Sequence, residues 1–196
     1  LEVKNIRTTS DYLAKPFLIE NGLFTFNQDK MNFSNFNGTY GTSDITMNGN
    51  LENVINFVLS ENQILKGNFS LTSNYLNVNE FIPTITYETD EEVEKTEVSG
   101  VVQIPTNLNV SIQTNAVKTQ YDDITIENLR GNLIIQNGTL QLSNSSLGII
   151  GATAKMDAFY KNEGSQKAYF DYKINASEFD IKRAYNEIKM FRKIVT

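Results

Sequence analysis

The stretch that decides the fold is residues 131–143, Gly-Asn-Leu-Ile-Ile-Gln-Asn-Gly-Thr-Leu-Gln-Leu-Ser. Two runs of alternating apolar and polar residues flank Asn137-Gly138. This dipeptide is typical of a type I′ turn, because both central residues of that turn need a positive φ. The stretch therefore predicts a β-hairpin. Counting outward from the turn pairs Gln136 with Thr139, Ile135 with Leu140, and Leu133 with Leu142.

The two faces of the hairpin follow from this register, since successive side chains of a strand point to opposite faces. The pair of Ile135 with Leu140 and the pair of Leu133 with Leu142 share one face. Ile134 and Gln141 are predicted to lie on the other. One face of the hairpin is therefore expected to be strongly apolar.

The same pattern occurs 109 residues upstream, where Gly131 aligns with Gly22 and the turn aligns with Gln28-Asp29. Alternating strands can resemble one another by chance, but the shared glycines and the constant offset favour a degenerate tandem repeat. The equivalent apolar positions are Leu133 with Phe24, Ile135 with Phe26, Leu140 with Met31, and Leu142 with Phe33.

The offset changes along the chain. An offset of 109 also aligns Val110, Ile112 and Tyr121 with Leu1, Val3 and Tyr12. The offset becomes 110 where Gly151 matches Gly41. It becomes 103 where residues 174–181 match residues 71–78. A helical insertion in the first copy is expected to absorb this shortening. We predict a first β-rich repeat over residues 1–88, an acidic linker over 89–103, and a second β-rich repeat over 104–196.

The predicted fold class is mainly β (α+β), an antiparallel sheet of two tandem repeats, each with a short covering helix. The helices are predicted near residues 52–60 and 178–193, where apolar residues recur at helical spacing. The first is short and nearly apolar, so it should need to pack on the sheet. The acidic run at residues 90–97 is interpreted as a solvated linker, because it lacks the glycine and alternating ligands of a calcium loop.

Composition excludes several classes of function. The chain has 196 residues, a net charge of −6 and neither histidine nor cysteine. It has no basic surface for nucleic acid and lacks the residues of catalytic triads and zinc sites. Scattered acidic residues leave a glycosidase-type carboxylate pair as the remaining catalytic alternative, but Asp122-Asp123 is better explained as a solvated turn. We expect no enzyme activity, no cofactor and no metal.

No apolar run approaches the roughly 20 residues that a membrane-spanning helix needs. Because Leu1 already aligns inside a repeat strand, we expect this chain to be a segment of a longer protein.

Residues 129–142 (Leu-Arg-Gly-Asn-Leu-Ile-Ile-Gln-Asn-Gly-Thr-Leu-Gln-Leu) and 104–110 (Ile-Pro-Thr-Asn-Leu-Asn-Val) resemble the C-terminal region of AsmA-family proteins. Residues 47–51, 57–59 and 65–73 resemble it as well. The resemblance implies a periplasmic segment of a protein anchored in the inner membrane of a Gram-negative bacterium. It implies a role in outer-membrane assembly or, as in related repeating β-groove proteins, in carrying lipids along an apolar trough.

The apolar face is the candidate site. It could be an ordinary core, or it could bind phospholipid acyl chains; envelope proteins are possible further partners. The alternative function is a structural or adhesive β-domain that binds a protein or glycan through its Asn/Ser/Thr-rich outer surface. The candidate lipid-facing or core residues are Phe24, Phe26, Met31, Phe33, Leu133, Ile135, Leu140 and Leu142.

Overall fold

A computed structural model describes residues 1–10, 13–60, 63–82, 84–87, 96–99, 101–164 and 167–177, together with Asp180, Lys182, Tyr185 and Asn186. Its helical elements are α1 (Val54–Leu59) and a 3-10 helix (Val78–Phe81). Its strands are β1 (Glu2–Ser10), β2 (Leu13–Asn27), β3 (Lys30–Tyr40), β4 (Ser43–Glu52), β5 (Leu65–Asn77), β6 (Thr84–Tyr87), β7 (Thr96–Ser99), β8 (Leu108–Tyr121), β9 (Ile124–Gln136), β10 (Thr139–Ile149), β11 (Ala152–Glu163) and β12 (Lys167–Ser177).

Ten of these strands form one sheet in the order β1-β2-β3-β4-β5-β8-β9-β10-β11-β12, and β6 pairs with β7 in a separate ribbon. This confirms the mainly-β class. All neighbours in the large sheet are antiparallel except β5 and β8, which are parallel. A parallel pair needs a connection that returns along the length of the strands. The chain between β5 and β8, which contains the 3-10 helix, β6 and β7, therefore runs from one end of the sheet to the other.

The hairpin predicted over residues 131–143 forms between β9 and β10. Asn137 and Gly138 both have positive φ values, 51° and 71°. The strands pair Gln136 with Thr139 and Leu133 with Leu142, as counting from the turn requires. The first repeat has the same hairpin between β2 and β3, where Phe24 pairs with Phe33 across the turn at Gln28-Asp29.

The two halves also share finer details. Asn35 in β3 and Asn144 in β10 both have a φ of 51° and both stand at register shifts. The backbone N–H of Asn35 donates to Asn48 Oδ1 at 2.8 Å, and that of Asn144 donates to Asp157 Oδ1 at 3.2 Å. Each pair is related to the other by the 109-residue offset, so both repeats contain the same β-bulge with the same kind of side-chain acceptor.

The predicted offset of 103 is also found. Met47 of β4 pairs with Leu71 of β5, and Met156 of β11 pairs with Ile174 of β12. The difference is absorbed between β4 and β5, where α1 forms the predicted helical insertion.

Two details of the alignment are wrong. Val3 pairs with Gly22 while Thr114 pairs with Gly131, so Val3 corresponds to Thr114 and the offset in the first strand is 111. A slide of two residues keeps every side chain on its face, so alternation alone could not detect it. In the β3–β4 turn the offset stays at 109, which aligns Gly41 with Ile150 rather than Gly151.

The prediction that α1 covers the sheet is wrong. None of its residues is buried, and Ile55, Val58 and Leu59 are 48%, 73% and 77% exposed. The helix is held instead at the end of the sheet, where Asp29 Oδ1 in the β2–β3 turn accepts a hydrogen bond from the backbone N–H of Ile55 at 2.6 Å. Apolar spacing predicts the helix itself, but it does not specify which surface the helix contacts.

Two other predictions lie largely outside the described residues. Of the C-terminal helix expected over 178–193, only Asp180, Lys182, Tyr185 and Asn186 are described. Most of the acidic linker expected over 89–103 is likewise not described, although β7 falls within it. The proposed domain boundaries stay a prediction.

Candidate apolar groove

One row of paired residues runs on a single face from Leu1, next to β1, across the other nine strands of the sheet, and we call it the first row. It includes four of the predicted site residues. Leu1 and Phe24 begin the row, joined by two backbone hydrogen bonds of 2.7 and 2.8 Å. Successive register partners extend it in the order Leu1, Phe24, Phe33, Gly49, Phe69, Ile112, Leu133, Leu142, Ala158 and Tyr172.

A second row runs beside the first on the same face, two residues along each strand. It contains the other four predicted site residues. Its register partners are, in order, Phe26, Met31, Leu51, Gly67, Val110, Ile135, Leu140, Tyr160 and Phe170. Together the two rows form what we call the apolar face, which crosses about nine strand spacings of about 4.8 Å, roughly 43 Å in all.

The opposite face has a different chemistry. Along each strand, the residue between the members of the two apolar rows points to this opposite face. These residues form an outer row of mostly amide and hydroxyl side chains, with Ile134 and Phe159 as its apolar members. Neither row of the apolar face contains a charged residue. The outer row is Thr25, Asn32, Asn50, Asn68, Ser111, Ile134, Gln141, Phe159 and Asp171.

Exposure changes along the apolar face. At the sheet edges Leu1 is 73% exposed and Phe170 is 60% exposed. In the central strands Val110 is only 7% exposed and Gly67 is buried. Of the eight predicted site residues Phe26 is exposed and the other seven are half-buried. The apolar face is thus deepest in the middle and open towards its edges.

A glycine in the first row brings two aromatic rings together. Phe33 on β3 and Phe69 on β5 are separated by β4, yet their ring centroids lie 5.4 Å apart in an edge-to-face arrangement. Gly49 occupies the row between them, so no side chain separates the rings. A Cβ atom at Gly49 would collide with the backbone of β5. Close packing of this kind gives the apolar face a continuous hydrocarbon surface.

The 3-10 helix closes one end of the apolar face in the first repeat. The ring of Phe81 packs on Tyr40, whose side chain is fully buried, with centroids 4.6 Å apart. The Glu80 carboxylate accepts hydrogen bonds from the Thr42 backbone N–H at 2.9 Å and from the Ser43 hydroxyl at 3.1 Å. Its Oε1 also lies 3.2 Å from Lys15 Nζ on β2.

The segment before β8 lies over the opposite end of the apolar face in the second repeat. The Tyr160 hydroxyl in the second row donates to the Val102 carbonyl oxygen at 3.0 Å. The backbone N–H of Ile104 donates to Asn162 Oδ1 at 3.0 Å, and the Ile104 side chain is buried. The connection from β5 to β8 is thus anchored on the apolar face at both of its ends.

The pKa of Glu80 reflects this anchoring. Burial acts to raise the pKa of its carboxyl, but hydrogen bonds from Thr42, Lys15 and Ser43 outweigh that effect and hold it below its ordinary value. A carboxyl whose pKa is lowered by folding stabilises the native state above its unfolded pKa, and this stabilisation is lost as the pH falls through the folded value.

We therefore expect Glu80→Gln to lower the free energy of unfolding at pH 7 by about 1–3 kcal/mol, the usual contribution of hydrogen bonds to a charged group. At pH 3 the difference from the unmodified protein should shrink. Urea unfolding at both pH values measures this. Glu52→Gln is the control, because it removes the charge of an exposed ion pair with Lys30 and should cost less than about 1 kcal/mol. An equal loss at both pH values would show that the charge of Glu80 is unimportant.

The eight predicted residues lie on one face of the sheet, but they make up less than half of the apolar face. Phe69 on β5 and Ile112 on β8 are central members of the first row. Their strands do alternate apolar and polar residues, which was the available signal. Nothing local in the sequence indicated that β5 and β8 pair in parallel, so the two halves could not be joined into one face.

Comparisons with protein-family models, with curated proteins and with solved structures find no match to this chain. Within the described residues, no helix has the length and hydropathy to span a membrane. Over the same residues, acidic side chains nowhere gather in a group of three that could hold a metal ion.

Proposed function

We propose that this chain is a non-catalytic, periplasmic segment of an AsmA-like, membrane-anchored envelope protein, and that its apolar face binds phospholipid acyl chains. Its role would be in outer-membrane assembly or in lipid transport between the two membranes. The assignment to this family rests on the sequence resemblance. The proposed lipid binding rests on the geometry of the apolar face.

The observation that carries the proposal is the uninterrupted pair of rows across the sheet. An ordinary core would bury most of these side chains, but seven of the eight predicted residues are half-buried and Phe26 is 59% exposed. Contiguous apolar surface of this extent marks a binding site for apolar partners. The absence of charge along both rows favours hydrocarbon over a polar ligand.

The energy of such binding is sufficient without a headgroup site. Burying one methylene contributes about 0.8 kcal/mol, so eight carbons of an acyl chain would gain about 6 kcal/mol before ordering costs. This supports weak, reversible binding, as a carrier requires. A lipid could then move along the rows without breaking a specific polar contact.

Native mass spectrometry of the protein purified from a bacterial envelope tests the proposal with a matched pair of variants. Ile134 and Ile135 are adjacent in β9, are both half-buried and face opposite sides of the sheet. We expect co-purifying phospholipid in the unmodified protein and in Ile134→Glu, and at least a tenfold loss of it in Ile135→Glu.

Circular dichroism should establish that both variants fold. If Ile135→Glu does not, Phe170→Glu replaces it, because that side chain is exposed at the edge of the second row. Absence of lipid from the unmodified protein, or equal lipid in the two folded variants, would contradict the proposal.

A further inference from the structure

The outer face contains a polar depression at the junction of the two repeats. It is an open concavity of about 620 Å³ where β5, β8, β9 and the bulge of β10 meet. Gly131 alternates with Arg130 and Asn132 along β9, so its backbone forms part of the floor of this depression. Alternate residues of the three strands direct their side chains into the depression: Ser70, Thr72, Gln113, Asn115, Arg130 and Asn132.

Arg130 is the only charged side chain among the residues that line this depression. Asn115 of β8 pairs with Arg130, and Asn132 follows it by two residues along β9 on the same face, so both of these neighbours carry amides. Within the part of the chain that the structure describes, its guanidinium forms no ion pair or side-chain hydrogen bond, although the protein is acidic overall. The nearby Asp157 carboxylate accepts the backbone N–H of the lining residue Asn144 at 3.2 Å.

The first repeat provides an internal comparison. The 109-residue offset places Asn21 at the position of Arg130, and Asn37 at that of Ser146, which pairs with Arg130. In the first repeat the two side chains contact each other, because Asn37 Nδ2 donates to Asn21 Oδ1 at 2.8 Å. The fold therefore does not need an arginine at this position. In place of two amides bonded to each other, the second repeat has the guanidinium of Arg130, whose five N–H donors have no acceptor among the described side chains.

We propose that this depression binds a carboxylate-bearing saccharide such as a uronic acid. A guanidinium can bind a planar carboxylate through two parallel hydrogen bonds. The surrounding amides and hydroxyls offer donors and acceptors to sugar hydroxyl groups. No aromatic ring lines the depression, so a neutral sugar would lack both the stacking surface and the ionic contact. This site lies on the face opposite the apolar rows and does not depend on lipid binding.

An NMR titration of the ¹⁵N-labelled protein with D-glucuronate tests the proposal, with D-glucose and sodium sulfate as comparison ligands. We expect shift changes confined to residues 70–72, 113–115 and 130–132 with glucuronate, and no saturable change with glucose or sulfate. Arg130→Ala should weaken glucuronate binding at least tenfold, and Arg130→Lys should weaken it less. Arg7→Ala removes the same charge from exposed β1 and should leave binding unchanged.

Three results would overturn the proposal. They are no response to glucuronate at millimolar concentration, an equal response to glucose or sulfate, and unchanged binding in a folded Arg130→Ala variant. Because Arg130 is exposed, loss of folding is not expected from either substitution, and melting temperatures of all variants verify this.

Discussion

Val110→Asp is expected to destabilise the protein by about 3–5 kcal/mol. Val110 lies in the second row on central strand β8 and is 7% exposed, so the new carboxylate would be buried without a partner. An uncompensated buried charge costs this much, and the whole free energy of unfolding of a typical domain is only about 5–15 kcal/mol. Urea unfolding followed by circular dichroism measures the loss.

Ser111→Asp is the matched control. Ser111 is the next residue of β8 and belongs to the outer row, where a carboxylate can remain hydrated. Its effect should stay within about 1 kcal/mol. Equal destabilisation by the two substitutions would mean that the two faces of the sheet have been assigned wrongly.

Gly49→Val is expected to disrupt the first repeat. A side chain here would meet the Asn68 carbonyl oxygen and the Phe69 Cα of β5, which are backbone atoms that cannot move without breaking the β4–β5 pairing. Overpacking of this kind costs about 3 kcal/mol, which lowers the melting temperature of a chain this size by roughly 6–12 °C.

Asn50→Val tests whether the effect comes from that contact. Asn50 follows Gly49 on the outer row, and valine suits a strand position. Differential scanning calorimetry should show little change for this control. A melting temperature for Gly49→Val as high as that of Asn50→Val would contradict the close approach of β4 and β5.

The parts of the fold that the sequence predicted are those governed by local rules. The Asn137-Gly138 turn requires positive φ values that few other dipeptides adopt readily, so the hairpin and its register followed from counting. The repeat then transferred the same hairpin to β2 and β3, even though Gln28-Asp29 is a weaker turn. Both faces of these strands followed from the period of two.

The parts that were missed depend on contacts distant in sequence. The parallel pairing of Leu65 with Leu108 joins strands that are separated by thirty residues, and no turn specifies it. The position of α1 was missed because a stripe of apolar residues predicts a helix but not which surface it meets. Arg130 carried no signal in the sequence, since its significance comes from comparing its place with that of Asn21 in the folded repeats.

Site-specific photo-crosslinking in the bacterial envelope tests the central claim most directly. A photoreactive amino acid at Phe33 or Leu142 would lie in the first row, whereas one at Asn32 or Gln141 would lie on the outer face one residue away. We predict phospholipid adducts at Phe33 and Leu142 and none at Asn32 and Gln141. Lipid adducts absent from the first row, or equally frequent on both faces, would contradict the assignment of the apolar face as a lipid groove.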